Sequence, residues 1–359
     1  MKREELALIW LNQNGISFSK SEKIFSEFDK IDSIFEPKLI KNAFFDFNGG
    51  SELKEKLINI DPIKFERELE ESLFKYDIKV ITYISKEYPE KLKNIDEPPL
   101  ALYYRGDISL LGKKSIAIVG TRKPSDYGRL VCEKFTKELS SSGLVTVSGL
   151  AYGTDTIVAE TTLNSGGKTI AVLAGGLDSI YPFQNKALSE RIIKNGLLVS
   201  EYMPRQKPTN YSFLERNRIV SALSLGTLII EAGKRSGTMT TARFAIDQGR
   251  ELFVVPGNIT SPESEGTNNL IDELPDTFTI NPDRILNKLG IQKRVEPKSK
   301  TQVNLDENLI LNELSSGEKT FDELSEKLDI EPSKLSSLLI KMEMFGLIKK
   351  GNSNTYFKI

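Results

Sequence analysis

Residues 115–122 read Ser-Ile-Ala-Ile-Val-Gly-Thr-Arg, an apolar run rich in β-branched side chains that closes on a glycine, with a helical pattern following at 126–142. A strand with apolar side chains on both faces needs helices covering both sides of its sheet. The same wording recurs in Leu144-Val-Thr-Val147, Thr169-Ile-Ala-Val-Leu173, Leu197-Leu-Val-Ser200, Thr227-Leu-Ile-Ile230 and Glu251-Leu-Phe-Val-Val255. Helical patterns near 154–165, 185–195, 213–224 and 238–249 separate these runs. The alternation predicts an α/β fold: an extended Rossmann-like, doubly wound, mostly parallel sheet over residues 78–289.

Outward from this core the grammar changes. Residues 1–77 are dense in charge and carry helical periodicity, as in Leu6, Ile9, Trp10 and then Ile24, Phe25, Phe28, which predicts an N-terminal helical (SAM-like) module. Residues 290–304 are polar without apolar period and read as a linker. Residues 305–359 predict a helix at Asn308–Leu314, a second at Thr320–Leu328, a third running to Phe345, and two strand-like pieces around a turn. That order is the outline of a C-terminal winged-helix domain.

The side-chain inventory excludes several chemistries. With no histidine and one cysteine, Cys132, the chain has no disulfide, no Cys/His zinc cluster and no imidazole relay. We expect no cofactor and no metal. No stretch approaches the roughly 18 consecutive apolar residues of a membrane span, and the first residues lack the apolar core of a secretory leader. The chain reads as cytoplasmic, without a membrane partner.

Its 49 basic and 50 acidic side chains nearly cancel, but their distribution does not. Residues 1–75 and 305–359 are each net −3, so the positive excess is central, and 202–250 alone holds eight basic side chains against three acidic ones. A polyanion would therefore meet the core. The third helix of the C-terminal domain offers Lys334 and Lys341 but also Glu343, so that domain reads as a protein-contact or low-affinity module rather than the main DNA reader.

A sheet of this kind binds ligands beyond the carboxyl ends of its strands. The loop after the first core strand has Arg122 where a dinucleotide fingerprint needs a second glycine, and the next strand ends in Ser148-Gly149 without an acid, which disfavours NAD. Arg122 instead presents a five-donor fork suited to phosphate; the alternative is an internal ion pair to Glu231. In Pro208–Arg218, Phe213 precedes Arg216, Asn217 and Arg218, an interleaving of ring and cation suited to single-strand binding. Arg216 and Arg218, two residues apart on a helix, cannot face the same ligand. Ser236, Gly237 and Thr238 follow a strand and open a helix, where hydroxyl caps and free amides suit one phosphate.

Together these loops resemble the DNA-processing protein A family (DprA, also called Smf) over about 80–275. The likeness rests on Ala117-Ile-Val-Gly-Thr-Arg122, Val147-Ser-Gly-Leu-Ala-Tyr-Gly153 with Asp155, Tyr181-Pro182, Arg216-Asn-Arg218, Ser236-Gly237 and Val255-Pro-Gly257. It implies a non-enzymatic protein that binds single-stranded DNA, shields incoming strands in natural transformation and loads the RecA recombinase, and that forms a homodimer through the Rossmann-like domain. It also places the family's arginine at Arg122, its phenylalanine at Phe213 and its basic segment near Lys207. Ala159-Glu160 stands where the family usually has Ala-His, and Leu214 where proline is common. The competing expectation is a nucleotide phosphoribohydrolase-like enzyme on the same sheet, with Glu231 as acid–base and Arg122 on a 5′-phosphate. A third is a winged-helix regulator with a ligand-sensing core.

Overall fold

The computed structural model describes residues 1–293, 305–344, 347–351 and 355–358. The expected linker from residue 294 on, the helix end at 345–346 and the turn at 352–354 lie outside the described residues. The chain forms two compact units, Met1–Arg294 and Val295–Ile359.

The first unit opens with α1 (Arg3–Gln13), α2 (Phe18–Phe25), α3 (Pro37–Asn42), α4 (Gly50–Ile58) and α5 (Pro62–Lys75). Then come β1 (Lys79–Thr82), a single-turn α6 (Glu90–Lys93) and β2 (Ala101–Gly106). The core alternates as read from the sequence: β3 (Ser115–Val119), α7 (Asp126–Ser141), β4 (Val145–Ser148), α8 (Thr154–Asn164), β5 (Thr169–Leu173), α9 (Lys186–Asn195), β6 (Leu197–Ser200), α10 (Asn210–Ala222), β7 (Gly226–Ile229), α11 (Gly237–Asp247) and β8 (Glu251–Val254). Helices α12 (Glu265–Glu273) and α13 (Pro282–Lys288) finish it.

Eight strands lie in the order β1-β2-β6-β5-β4-β3-β7-β8. From β6 to β8 every pairing is parallel, whereas β2 pairs antiparallel with both β6 and β1. Every residue of β3 to β7 is buried, as a sheet covered on both faces requires. The chain steps from β3 out to β6 and then returns to place β7 against the other side of β3. Loops leaving β3 and β7 therefore diverge at a switch point, and a crevice opens there.

The N-terminal helices, expected as a module of their own, share a core with the sheet. Leu6 through Leu11 are buried at six consecutive positions of α1, so this helix is interior all round. They join one cluster with Tyr103, Ala171, Leu173 and Leu188 from the strands and α9. A helix without a solvent face cannot be detached without exposing that surface.

The second unit holds α14 (Leu305–Leu314), β9 (Lys319–Thr320), α15 (Phe321–Leu328), α16 (Pro332–Met344), β10 (Ile348–Lys350) and β11 (Thr355–Lys358), the strands forming a small antiparallel sheet in the order β10-β11-β9. Its core gathers Ile310, Leu324, Leu335, Leu339 and Met342. Both lysines of α16 pair with acids of α14: Lys334 with Asp306 at 2.6 Å and Lys341 with the buried Glu307 at 2.9 Å.

Cys132 sits on the inner face of α7 with Phe135 and Leu139, spaced for one helical stripe. Burial pushes its thiol up to about 12. Without access or thiolate it cannot react in the folded state. We expect an aromatic disulfide reagent to label native protein at least about a hundredfold more slowly than guanidinium-unfolded protein. Labelling of native protein at the free-thiol rate would refute this packing of α7.

Candidate nucleic-acid interface

The loop after β3 is fixed from two sides. Its Thr121 amide donates to the Glu231 carbonyl at 2.8 Å, and its Thr121 carbonyl accepts from the Thr154 amide at 3.2 Å and hydroxyl at 3.0 Å. The start of α8 lies so close that a Cβ on Gly153 would come within 2.5 Å of the Arg122 carbonyl, and its φ of +73° is one that glycine adopts freely. Helix α7 begins where Ser125 accepts from the Gly128 amide at 3.0 Å. Glu231 is buried, and its carboxylate accepts the Ser125 amide at 2.9 Å and hydroxyl at 2.5 Å. A carboxylate at a helix N-terminus is stabilised there. Both Glu231 oxygens are thus engaged, and no ion pair to Arg122 occurs among the described residues.

Arg122 is exposed, and its guanidinium lies over the Phe213 ring at 5.1 Å. Phe213 in turn packs against the half-exposed Tyr181, centroids 5.8 Å apart and tilted by 57°. Phe213 is set by α10, whose start Thr209 fixes with Ser212: the Ser212 amide donates to the Thr209 hydroxyl at 3.1 Å and the Ser212 hydroxyl receives the Thr209 amide at 2.8 Å. The row Arg122–Phe213–Tyr181 stands at a cleft of about 480 Å³, which the loops after β3 and β4 and the first turns of α10 and α11 enclose.

The floor of that cleft carries two buried charged side chains held by the backbone of one residue, Gly149. The Gly149 amide donates to Asp155 at 3.1 Å, joined by the Ala151 amide at 3.2 Å, while the Gly149 carbonyl accepts from Arg216 at 2.6 Å. Arg216 also donates to the Val172 carbonyl and, through Nε, to Asn217 at 3.2 Å. A Cβ at 149 would overlap the Arg216 guanidinium, so only glycine fits. Burial pushes the Asp155 carboxyl above the usual carboxylate range, against the pull of Arg216 and the two amides. Burial likewise lowers Arg216, against the pull of Asp155. Asn217 extends the floor to α11, donating to the Gly237 carbonyl at 3.3 Å.

Of the residues singled out from sequence, Arg122, Phe213, Arg216, Asn217, Ser236, Gly237 and Thr238 all line this one cleft. Ser236 occupies the N-cap of α11, yet its buried hydroxyl caps nothing and has no partner. Lys207 does not reach the cleft lining; it is exposed on the loop leading to α10. Arg218 needs the larger correction. It points away from the cleft and is buried in a bidentate pair with Glu201, Nη2 to the two oxygens at 2.7 and 2.8 Å, with Glu215 at 3.6 Å from its Nε. Two residues along a helix is a 200° turn, so once Arg216 faces the floor, Arg218 faces the loop after β6. Tyr181 was not singled out as a site residue; the signal was an aromatic residue before a proline in a polar loop at a strand's carboxyl end.

Among the described residues no cluster of acids and cysteine could hold a metal ion, and no helix is long and apolar enough to cross a membrane. Because Arg218 and Glu201 are both largely buried, Arg218→Ala leaves a carboxylate uncompensated. We expect it to lose about 3 to 5 kcal/mol in denaturant unfolding. Lys207→Ala stays within about 0.5 kcal/mol of the parent. Equal stability of the two variants would show that the Arg218 pair is not structural.

The described geometry has counterparts in known proteins. A model of the family DNA recombination-mediator protein A matches residues 79–290. The chain is 43% identical over 197 residues to the DNA processing protein DprA of Bacillus subtilis, an alignment covering 55% of this chain and 66% of that relative, just short of two thirds of its length. The X-ray structure of DNA processing protein A from Streptococcus pneumoniae superposes with a TM-score of 0.68 at 30% identity, covering 80% of this chain and 98% of that one. A structure describing the unique single-stranded DNA binding mode of DNA processing protein A from Helicobacter pylori superposes with a TM-score of 0.55 at 36% identity, covering 60% and 96%. With a family match spanning more than half its length, seated on the strands and loops that build the cleft, this chain belongs to the DNA recombination-mediator protein A family, the family of DprA and Smf.

Proposed function

We propose that the cleft binds single-stranded DNA with little sequence preference and that the protein acts in DNA processing during transformation and recombination, without catalysing a reaction. The observation that carries this reading is the row in which Arg122 lies over Phe213 and Phe213 against Tyr181. A base can stack on such a ring whatever its identity, and the guanidinium beside it meets the adjoining phosphate. Behind the row, where Ser236, Gly237 and Thr238 line the cleft, the first-turn amides of α11 offer neutral donors to a phosphate oxygen. Lys207, outside the cleft, adds charge along the approach. The relative from Helicobacter pylori, described for its single-stranded DNA binding mode, supports the same assignment. The phosphoribohydrolase reading lacks its acid–base, since Glu231 is committed to Ser125.

The remaining parts of the proposal follow from the family. Two copies pair through the Rossmann-like core, where the stretch after β8 exposes Ile259, Leu274 and Ile280, and joined clefts bind one strand with greater avidity than either alone. The bound strand is handed to the RecA recombinase in the cytoplasm. The second unit serves as a winged-helix contact module, because the lysines of α16 that would face phosphates are neutralised by α14.

Arg122→Ala should weaken binding of a fluorescent oligothymidylate and lower the slope of log K against log salt by about 0.7, the loss of one phosphate contact. Anisotropy titrations at several salt concentrations measure both. An unchanged slope removes Arg122 from the phosphate path.

A further inference from the structure

Beyond the cleft, the loop after β5 carries a second group of rings. Tyr181 is 53% exposed, Phe183 73% and Tyr152, from the neighbouring loop after β4, 43%. Single exposed apolar side chains are ordinary, but here Tyr181 touches Phe213 and so joins this group to the cleft. The loops that carry the rings are tied together. The buried Asn185 amide donates to the Leu150 carbonyl at 3.0 Å and the Thr156 hydroxyl at 2.9 Å, fastening one loop to the other, and the Tyr152 hydroxyl bonds to Gln184. Lys186 sets its ammonium 5.8 Å from the Phe183 ring centre. The pairing of an exposed ring with an adjacent cation repeats the chemistry of Arg122 over Phe213.

We propose that this rim is a second stacking platform for single-stranded DNA: a strand leaving the cleft passes Tyr181, lays a further base on Phe183 and sets a phosphate against Lys186. The inference rests on the reading of the cleft as a single-strand site and extends its footprint. A protein partner would also value exposed rings, but it has no need of the cation set beside Phe183. A polynucleotide presents base and phosphate side by side, and Phe183 with Lys186 offers one ring and one cation in that order, as Phe213 does with Arg122. The anchoring of the two loops by Asn185 favours the same ligand, because a fixed backbone leaves less to be ordered when a base stacks.

The test uses the full chain and oligothymidylates of about 5 and about 20 nucleotides, titrated by anisotropy, with Arg122→Ala as the reference for the cleft. Phe183→Ala should weaken the long oligomer by about tenfold and leave the short one, which the cleft accommodates, nearly unchanged. Phe183→Trp should keep long-strand affinity, and Lys186→Gln should lower the salt slope for the long oligomer alone by about 0.7. Phe183 is exposed, so its truncation leaves the core intact. If Arg122→Ala weakens binding while Phe183→Ala binds both oligomers as the parent does, the rim is off the path and the cleft assignment stands. Equal weakening of short and long oligomers also overturns a separate platform. If Phe183→Ala weakens the long oligomer and Arg122→Ala does nothing, the cleft assignment falls, and the rim, then a site of its own, is not the second platform proposed.

Discussion

The site depends on the backbone of one residue, Gly149, which holds a buried carboxylate by its amide and a buried guanidinium by its carbonyl. Neither Asp155 nor Arg216 would be tolerated alone at that depth, because an unpaired charge in the interior costs several kcal/mol or shifts its protonation. Their charges oppose across a single backbone link, and the polar partners around them complete the arrangement. That arrangement then dictates its neighbours. It requires glycine at 149, it aims Arg216 inward from α10, and by doing so it turns the next helix position but one, Arg218, toward Glu201. The floor of the cleft is thus a structural element, and the surface that remains for a ligand is the rim above it.

On that rim the magnitudes favour exchange. A guanidinium over a ring near solvent contributes about 0.5 to 1 kcal/mol, whereas a base stacked on an aromatic ring contributes about 1 to 3. A base can therefore displace Arg122 from the face of Phe213 at little cost and leave the guanidinium free for the phosphate it carries. The contact at 5.1 Å keeps Arg122 ordered before the ligand arrives, in place of a long side chain that must be immobilised on binding. Ionic pairing of Arg122 to Glu231 would have opposed this, and the geometry avoids it by binding Glu231 to the start of α7.

Much of the core was legible because apolar runs buried on both faces leave a plain trace, and β3 to β8 fall within a residue or so of the runs that announce them. The antiparallel edge was less legible: β1 is four residues with a lysine at its start, and β2 ends in Tyr-Arg-Gly, so neither shows a clean period. Helix α10 begins three residues ahead of the expected start because Thr209 and Ser212 cap it reciprocally, where the usual sequence signal is a glutamate or glutamine. In the site, the residue types and loops could be read, but the facing of Arg218 and the committed state of Glu231 could not. Both follow from which partner reaches which oxygen, and sequence spacing along one element does not carry that. That the N-terminal helices share a core with the sheet was not legible for a related reason, since a helix apolar on every side looks amphipathic when only its strongest positions are counted.

The placement of charge ties these points together. The chain as a whole is close to neutral, so attraction to a polyanion depends on which cations keep their charge unopposed. On α16 the two lysines are matched by Asp306 and Glu307, and on α10 Arg218 is matched by Glu201. Arg122 and Lys207, by contrast, are exposed and have no ion pair among the described residues. Internal pairing thus takes these three cations out of play and leaves the Arg122 guanidinium unopposed beside the aromatic row. The proposed single-strand site draws on that unopposed charge at the cleft, where an aromatic row stands beside it.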